Sequence, residues 1–151
     1  MLNDIIISRV RVKLLEIFLS QPGQIIHVRD LVRRTKEEIN AVRRELLHME
    51  KAGMVSKEPR ANRLYYSFRK DYPLYYDLLA LITKTTGLGG SIIKHKNKLG
   101  RVRFAMISGK FARNIPGSAE EVDLLVVGNV VVAEVAALVR EEELRRGREI
   151  F

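Results

Sequence analysis

Apolar residues recur at helical spacing near the start of the chain, and short breaks separate the periodic stretches. The first stretch predicts a helix that begins at Ser8 or earlier and ends at Gln21-Pro22-Gly23. The apolar side chains at helical spacing predict its buried face: Val10, Leu14, Ile17 and Phe18. Ile25-Ile26 follows and is predicted to be a short strand.

A second, short helix is expected from Val28 to Arg34. Its inward side chains are predicted to be Val28, Leu31 and Val32. The third helix follows it directly along the chain.

The third helix has clear start and stop signals. Thr35 and Glu38 have the spacing of a capping box, in which each side chain satisfies a free backbone N–H of the first turn. One apolar stripe then recurs at helical spacing: Ile39, Val42, Leu46 and Met49. Gly53 suits the position just after a helix, where φ is often positive.

Two short apolar runs after this helix predict a β-hairpin. Met54-Val55 and Leu64-Tyr65-Tyr66 are separated by a seven-residue segment from Lys57 to Arg63, which is expected to form a basic tip. The order helix, strand, helix, helix, hairpin is that of a winged helix-turn-helix.

Basic and amide side chains are concentrated on the third helix and on the hairpin. The helix face opposite the apolar stripe carries Lys36, Asn40, Arg44 and Lys51, with Arg43 on its flank. The hairpin tip adds Arg60, Asn62 and Arg63. A basic helix beside a basic hairpin suits a DNA groove and its flanking phosphates, so seven of these residues, all except Lys51, are the predicted DNA contacts.

The second half of the chain predicts alternating helices and strands. Asp71-Tyr72-Pro73 breaks the pattern before a helix from Leu74 to Thr85. The glycines of Gly87-Leu-Gly-Gly90 are expected to form a flexible turn, and a further helix should end near Leu99. A phosphate cradle is the alternative for this glycine cluster, but the Lys and Ser/Thr of a P-loop are absent.

Further along, two strands and a helix are predicted before the chain ends. The strands are Val102–Ile107 and Val122–Val127, and the second is apolar enough to be buried on both faces. Val131–Arg146 is predicted to be an amphipathic helix. The residues from Arg148 to Phe151 resemble the first residues of a third strand.

The amino-acid composition indicates the class of binding partner and the cellular compartment. The formal net charge is +9 and the sequence pI about 10.0, which favours a polyanionic partner such as nucleic acid. The chain has no cysteine, so a disulfide framework and a thiolate zinc site are excluded. No apolar run approaches the roughly 20 residues that span a bilayer, and no secretory signal is present, so a cytoplasmic protein is expected.

The segment Ile107-Ser-Gly-Lys-Phe-Ala-Arg-Asn, followed by Glu121-Val-Asp-Leu-Leu-Val-Val-Gly128, resembles the nucleotidyltransferase signature. That family places a Gly-Ser pair at a strand-to-helix turn and two acidic residues on the next strand. The resemblance maps these roles onto Gly109, Lys110, Glu121 and Asp123, with Glu149 as the candidate third carboxylate. In an active site the carboxylates would hold Mg²⁺ against a nucleoside triphosphate.

Two residues depart from this signature. Lys110 replaces the serine, and Glu121 replaces the first aspartate. An ammonium beside two carboxylates could neutralise them and replace a metal. The favoured interpretation is therefore a domain that keeps the fold and has lost the catalytic site, without a metal or another cofactor.

Nearly the whole chain resembles a prokaryotic family of winged-helix transcriptional regulators fused to a minimal nucleotidyltransferase-like domain. Further matches are His27-Val-Arg-Asp-Leu, the Leu64-Tyr-Tyr strand, Asp71-Tyr-Pro-Leu and Gly147-Arg-Glu-Ile. The resemblance implies an α+β protein in three parts. These are a winged helix-turn-helix in residues 1–72, linker helices in 73–100 and a truncated α/β nucleotidyltransferase-like domain in 101–151.

Two functions from different classes remain open. The first is a sequence-specific DNA-binding regulator that acts on double-stranded DNA as a homodimer, with a nucleotide ligand left open. The second is an active Mg²⁺-dependent nucleotidyltransferase that uses the winged helix to recognise its substrate or partner. A second basic run is either a solvated surface or a further DNA contact: Lys94, Lys96, Lys98, Arg101 and Arg103.

Overall fold

A computed structural model describes residues 1–151 and shows a mixed α+β protein with seven α-helices and two small antiparallel sheets. The chain divides into two compact units, Met1–Ile82 and Thr83–Phe151. This division lies within residues 73–100, the segment for which the sequence predicts linker helices. No helix combines the length and the apolar character that a membrane crossing requires.

The first unit contains four helices and a three-stranded sheet, after a short 3₁₀ turn at Leu2–Asp4. In chain order these elements are α1 (Arg9–Ser20), β1 (Ile26–His27), α2 (Val28–Thr35), α3 (Ile39–Lys51), β2 (Val55–Arg60), β3 (Arg63–Phe68) and α4 (Tyr75–Thr85). The predicted order of helix, strand, helix, helix and hairpin is confirmed, and α4 continues across the division between the units.

Helix α1 begins where the sequence predicts, because the Ser8 hydroxyl accepts a hydrogen bond from the Arg11 N–H at 3.2 Å. Its buried face differs from the predicted one, since Val10 and Ile17 are only partly buried. The buried residues are Val12, Leu14, Leu15, Phe18 and Leu19. The face is broader than one stripe because α1 packs against α2, α3 and β3.

The turn between α2 and α3 differs from the predicted capping box. Thr35 is the last residue of α2, and its hydroxyl donates to the Val32 carbonyl at 3.1 Å. Glu38 caps α3 alone, since its carboxylate accepts the N–H groups of Asn40 and Ala41, each at 3.0 Å. Capping by one carboxylate leaves Thr35 free to complete the preceding helix, so the prediction of a reciprocal cap is wrong.

Lys36 belongs to this turn and not to the third helix. It adopts a left-handed conformation, with φ of 54°, as the residue that ends α2. Its backbone N–H donates to the Val32 carbonyl at 3.1 Å. The predicted position of Lys36 on the face of α3 is therefore wrong, although its side chain remains exposed close to the start of that helix.

Helix α3 is held by its apolar stripe and by a glycine after its last turn. Val42, Leu46 and Met49 are each 0% exposed, whereas Ile39 at the helix start is exposed. Gly53 has φ of 75°, and its N–H donates to the Glu50 carbonyl at 3.0 Å. The next N–H donates to the Met49 carbonyl at 2.9 Å, which completes a Schellman motif and confirms the predicted role of Gly53.

The three strands form a sheet in the order β1-β3-β2, with all neighbours antiparallel. The predicted seven-residue tip is wrong. The strands pair up to Arg60 opposite Arg63, so only Ala61 and Asn62 form the turn. Ala61 has φ of 51°, as two-residue hairpin turns require at their first central position. Lys57 is consequently a strand residue opposite Tyr66.

The second unit contains three helices and a two-stranded sheet. Its elements are α5 (Gly87–Lys94), β4 (Gly100–Ile107), α6 (Gly109–Ala112), β5 (Leu124–Val130) and α7 (Val132–Arg146). Its core consists of Leu88, Ile92, Leu99 and Phe111. Strands β4 and β5 and helix α7 pack partly buried apolar side chains against this core.

The glycine cluster is helical rather than a flexible turn, which corrects the predicted role of Gly87–Gly90. Gly89 and Gly90 lie so close to preceding backbone that an added Cβ would clash with the carbonyls of Thr83 and Thr85. The glycines therefore permit close packing at the start of α5. This helix also ends at Lys94, earlier than the sequence predicts.

The strand predicted at Val122–Val127 begins later, at Leu124, and is not buried on both faces. It pairs antiparallel with β4, and only one face of this pair lies on the core. The other face exposes two cross-strand pairs, Phe104 with Val127 and Met106 with Leu125. No strand forms at residues 148–151, but the Phe151 carbonyl accepts the N–H of Leu124 at 3.0 Å.

Candidate functional site

A basic groove lies in the first unit, between the start of α2, the side of α3 and the tip of the hairpin. Its volume is about 520 Å³. Seven residues line it, and none of them is acidic: His27, Val28, Arg29, Arg43, Asn62, Arg63 and Leu64. Three arginines, one amide and one imidazole around a groove can bind a polyanion through charge and through several hydrogen bonds.

Strand pairing brings these distant residues together. His27 on β1 pairs with Tyr65 on β3, and the two rings lie 5.3 Å apart. This pairing places the start of α2, with Arg29, beside the hairpin. The two-residue turn brings Asn62 and Arg63 to the same place, and Arg43 contributes from the flank of α3.

Three of the seven predicted DNA contacts line the groove: Arg43, Asn62 and Arg63. Asn40 and Arg44 are exposed elsewhere on α3, away from its fully buried stripe. Lys36 lies in the turn before that helix. Arg60 is engaged locally, because its Nε donates to Glu58 at 2.9 Å and its guanidinium lies 5.5 Å from the Tyr65 ring centroid.

The hydrogen bond from Arg60 to Glu58 raises the pKa of the arginine above its usual value, so the side chain remains a cation. Burial raises the pKa of Tyr66, and the nearby charge of Arg43 opposes that shift. Tyr66 therefore remains neutral at physiological pH, and the charge of this region is set by its arginines and lysines.

Sequence reasoning missed His27 and Arg29 as groove residues. The segment His27-Val-Arg-Asp carries part of the family resemblance, but local patterns place it only at the start of a helix. Its position beside the hairpin depends on the pairing of β1 with β3, which joins residues far apart in sequence. No local signal could have shown this contact.

Ion pairing separates the basic residues of the first unit into two groups. On α1, Arg9 and Lys13 pair with Glu37, and Arg11 pairs with Glu45. In the second group, the side chain forms no hydrogen bond and no ion pair; this group contains Arg29, Lys36, Arg43, Arg44, Lys51, Arg63 and Lys70. All except Lys70 belong to the groove, to α3 or to the turn before it. The uncompensated charge of the unit is therefore concentrated there.

The second unit contains the acidic pair that the sequence singled out, and each member has a cationic partner. Lys110 donates a hydrogen bond to Glu121, and this contact lowers the pKa of the glutamate below its usual value. Asp123 is 2% exposed, and its Oδ2 lies 2.9 Å from Nη1 of Arg148. Both acids precede β5, so they do not share a strand face as the signature implies.

Glu149 does not join this pair, although the resemblance makes it the candidate third carboxylate. Its side chain is exposed and forms no hydrogen bond or ion pair with Asp123 or Glu121. The neighbouring Arg148 reaches Asp123 instead, and its guanidinium lies 5.4 Å from the Phe111 ring centroid. No group of three His, Cys, Asp or Glu side chains is placed to hold a metal ion.

The turn at Ser108-Gly109 has the local geometry that the signature predicts. Ser108 caps the short helix α6 by accepting the Phe111 N–H at 3.1 Å, and its own N–H donates to the Asp123 carbonyl at 2.9 Å. The surroundings of Gly109 are open, since an added Cβ would meet no atom within 4 Å. The turn is present, but the charge next to it is neutralised by Lys110 and Arg148.

In comparisons with known proteins, no family model, no curated protein and no solved structure matches this chain. The function therefore has to be inferred from the chemistry of the basic groove and of the acidic pair. The basic groove has unpaired cations and no acidic residue, which suits an extended anion. The acidic pair is already neutralised by cations of the chain itself, which makes a poor site for Mg²⁺.

Proposed function

We propose that this protein is a sequence-specific DNA-binding transcriptional regulator and that its first unit is a winged helix-turn-helix. The observation that carries the proposal is the groove in which Arg29, Arg43 and Arg63 meet without an acidic neighbour. Arginine recognises phosphate with two parallel hydrogen bonds, and an unpaired arginine can bind phosphate without first breaking an ion pair.

The exposed face of α3 supports the same proposal. Asn40 and Arg44 lie on the helix side away from Val42 and Leu46, which are fully buried. When a helix enters the major groove, asparagine is suited to adenine and arginine to guanine. We assign these two side chains to base contacts, and we assign Asn62 and Arg63 of the hairpin, the wing, to the DNA backbone.

The proposal includes a cytoplasmic homodimer whose second unit is a degenerate nucleotidyltransferase-like domain. Two ion pairs support the loss of nucleotidyltransferase activity: Lys110 with Glu121, and Arg148 with Asp123. These two cations neutralise the carboxylates that would have to hold metal ions to stabilise a phosphoryl transfer. The unit would then serve in dimerisation or in sensing a ligand, and no cofactor is required.

The proposal is tested by titrating the full chain into fluorescently labelled duplex DNA and measuring anisotropy at several salt concentrations. Arg43→Gln combined with Arg63→Gln removes two predicted phosphate contacts. Each contact contributes about −0.9 to the slope of log K against log salt, so the slope should become shallower by about 1.8. Duplexes enriched from a genomic pool should bind more tightly than random ones.

The matched control is Arg69→Gln combined with Lys70→Gln, because it removes the same charge from residues outside the groove. This control should retain nearly the full salt slope. Equal effects of the two double variants would show that only net charge matters and would reject the groove as the DNA site. Equal affinity for genomic and random duplexes would reject sequence-specific regulation.

A further inference from the structure

The second unit carries an unpaired basic segment of its own, which the groove of the first unit does not include. From the end of α5 through β4, five cations occur within ten residues: Lys94, Lys96, Lys98, Arg101 and Arg103. None of them forms an ion pair or a side-chain hydrogen bond. This segment therefore carries the largest uncompensated charge of the unit.

Elsewhere in the unit, most basic side chains have partners. Arg145 and Arg146 bind Glu142, and Arg113 donates to the Gly109 carbonyl at 3.1 Å. Lys110 and Arg148 neutralise the acidic pair described above. The contrast indicates that the cations from Lys94 to Arg103 are available to a ligand, whereas the paired cations maintain the fold.

Two of these cations line a pocket on the sheet of β4 and β5. The pocket has a volume of about 460 Å³ and is lined by Arg101, Arg103, Val127, Gly128 and Asn129. Arg101 is the cross-strand partner of Asn129, so their side chains share one face. The Asn129 amide forms no hydrogen bond within the protein and can donate to a ligand.

A β-bulge brings the second arginine to the same pocket. The register of β4 and β5 shifts between Val102 and Phe104, which leaves Arg103 without a cross-strand partner. A bulge of this kind redirects a side chain and increases the local twist. Opposite it, Gly128 has φ of 146°, and an added Cβ would clash with the Arg101 carbonyl. The pocket thus depends on a backbone shape that few other residues would permit.

We propose that the pocket of Arg101, Arg103 and Asn129 binds phosphates of the DNA backbone as a second contact of the regulator. This inference rests on the proposed function, since it takes the same duplex as ligand. Two guanidinium groups and an amide offer several donors to one phosphodiester, and no acidic residue lines the pocket. Lys94, Lys96 and Lys98 extend the positive charge beyond the pocket.

The test uses the full chain, the duplex enriched above and the same salt titration. Arg101→Gln combined with Arg103→Gln should make the salt slope shallower by about 1.8, as the loss of two contacts predicts. Asn129→Asp is a second variant, which keeps both arginines and places a negative charge in the pocket. It should weaken binding to all duplex sequences alike, because phosphates carry no sequence information.

The matched control is Lys84→Gln combined with Arg140→Gln, two exposed cations of the same unit that are unpaired and lie outside the pocket. If this control changes the salt slope as much as the pocket variants do, the pocket is not a specific contact and the inference is overturned. Sedimentation velocity adds a second criterion. A pocket variant that changes the oligomeric state and leaves the slope intact would show that the pocket binds another copy of the chain.

The outcomes also separate this inference from the proposed function. If only the groove variants make the salt slope shallower, the winged helix is supported and the second contact is overturned. If only the pocket variants make the salt slope shallower, the second contact is supported and the groove is rejected as the DNA site. Circular dichroism of each variant establishes that a lost contact is not a lost fold.

Discussion

The Arg148 guanidinium lies against the Asp123 carboxylate, with 2.9 Å between Nη1 and Oδ2. Asp123 is almost fully buried, so its charge needs a partner, and here that partner is an arginine of the same chain. Arg148 also lies over the Phe111 ring, which holds the guanidinium in place. The Asp123 carboxylate is thereby made part of the fold.

The first prediction concerns the stability that this ion pair gives. Arg148→Met should lower the free energy of unfolding of the second unit by about 3 kcal/mol, because it leaves a buried carboxylate without compensation. Adding Asp123→Asn to Arg148→Met should recover much of that loss. Thermal or denaturant unfolding of the three proteins measures both effects. An Arg148→Met variant as stable as the parent would show that Asp123 is adequately solvated without the arginine.

The second prediction is that the chain transfers no nucleotide. The protein is incubated with labelled nucleoside triphosphates, Mg²⁺ or Mn²⁺ and cell extract, beside a Lys110→Ser variant. Both should remain silent, since Arg148 still neutralises Asp123 after Lys110 is removed. Label transfer by the unmodified chain that disappears in Asp123→Ala would instead establish the enzyme.

The third prediction compares the contributions of Arg44 and Arg63 to DNA binding. Arg44→Ala should reduce the preference for the enriched duplex over random duplexes, since a base contact by arginine provides roughly 1–3 kcal/mol of discrimination. Arg63→Ala should weaken binding to all sequences alike, because a wing arginine contacts phosphate. Competition between specific and random duplexes measures the two losses. Equal loss of preference in both variants would mean that α3 does not read bases through Arg44.

The fourth prediction concerns two glycines whose surroundings are equally open. An added Cβ would meet no atom within 4 Å at either Gly53 or Gly109. Only Gly53 has a positive φ, of 75°, so Gly53→Ala should cost about 1 kcal/mol of stability through backbone strain. Gly109→Ala should be neutral or slightly stabilising, because it restricts the unfolded chain. Denaturant midpoints compare them, and equal costs would show that the positive φ of Gly53 is not the source of the strain.

The fifth prediction is a loss of stability in acid that depends on Glu142. Burial acts to raise the pKa of Glu142, but hydrogen bonds from Arg145 and Arg146 together hold it below the usual 4.5. A lowered folded-state pKa means that the ionised group stabilises the fold above pH 4.5 and loses this contribution as the pH falls below that value. Unfolding of Glu142→Gln should therefore depend less on pH in this range than unfolding of the parent chain.

Glu141→Gln is the control for this effect, since Glu141 is exposed and forms no ion pair. It should keep the acid sensitivity of the parent. If Glu142→Gln keeps that sensitivity as well, other carboxylates govern acid unfolding.

The elements that sequence patterns predicted correctly are those with a strong local signal. The buried stripe of α3 and the role of Gly53 depend on spacing and on backbone conformation within a few residues; the stripe is confirmed except at Ile39, and the role of Gly53 is confirmed. The sequence also predicts the hairpin, but with a tip that is too long. Polar residues from Lys57 to Arg60 look like a loop, although strand pairing extends through them.

The errors occur where contacts outside the local pattern decide the structure. The glycines of Gly87–Gly90 suggest a flexible turn, yet they lie in α5, where Gly89 and Gly90 pack closely against the backbone of the residues just before the helix. The apolar run at Val122–Val127 suggests a strand buried on both faces, yet β5 has only β4 beside it. His27 and Arg29 join the groove through the pairing of β1 with β3, which no local signal contains.

Pro59 has a consequence for how the wing behaves at high protein concentration. It lies on β2, the edge strand of the sheet, opposite Leu64. A proline offers no N–H to an incoming strand, and the exposed charged side chains of Lys57, Glu58 and Arg60 on the same strand disfavour pairing at this edge. The outer edge of β2 can therefore remain exposed to solvent without recruiting strands from other molecules, which protects the protein against aggregation through this edge.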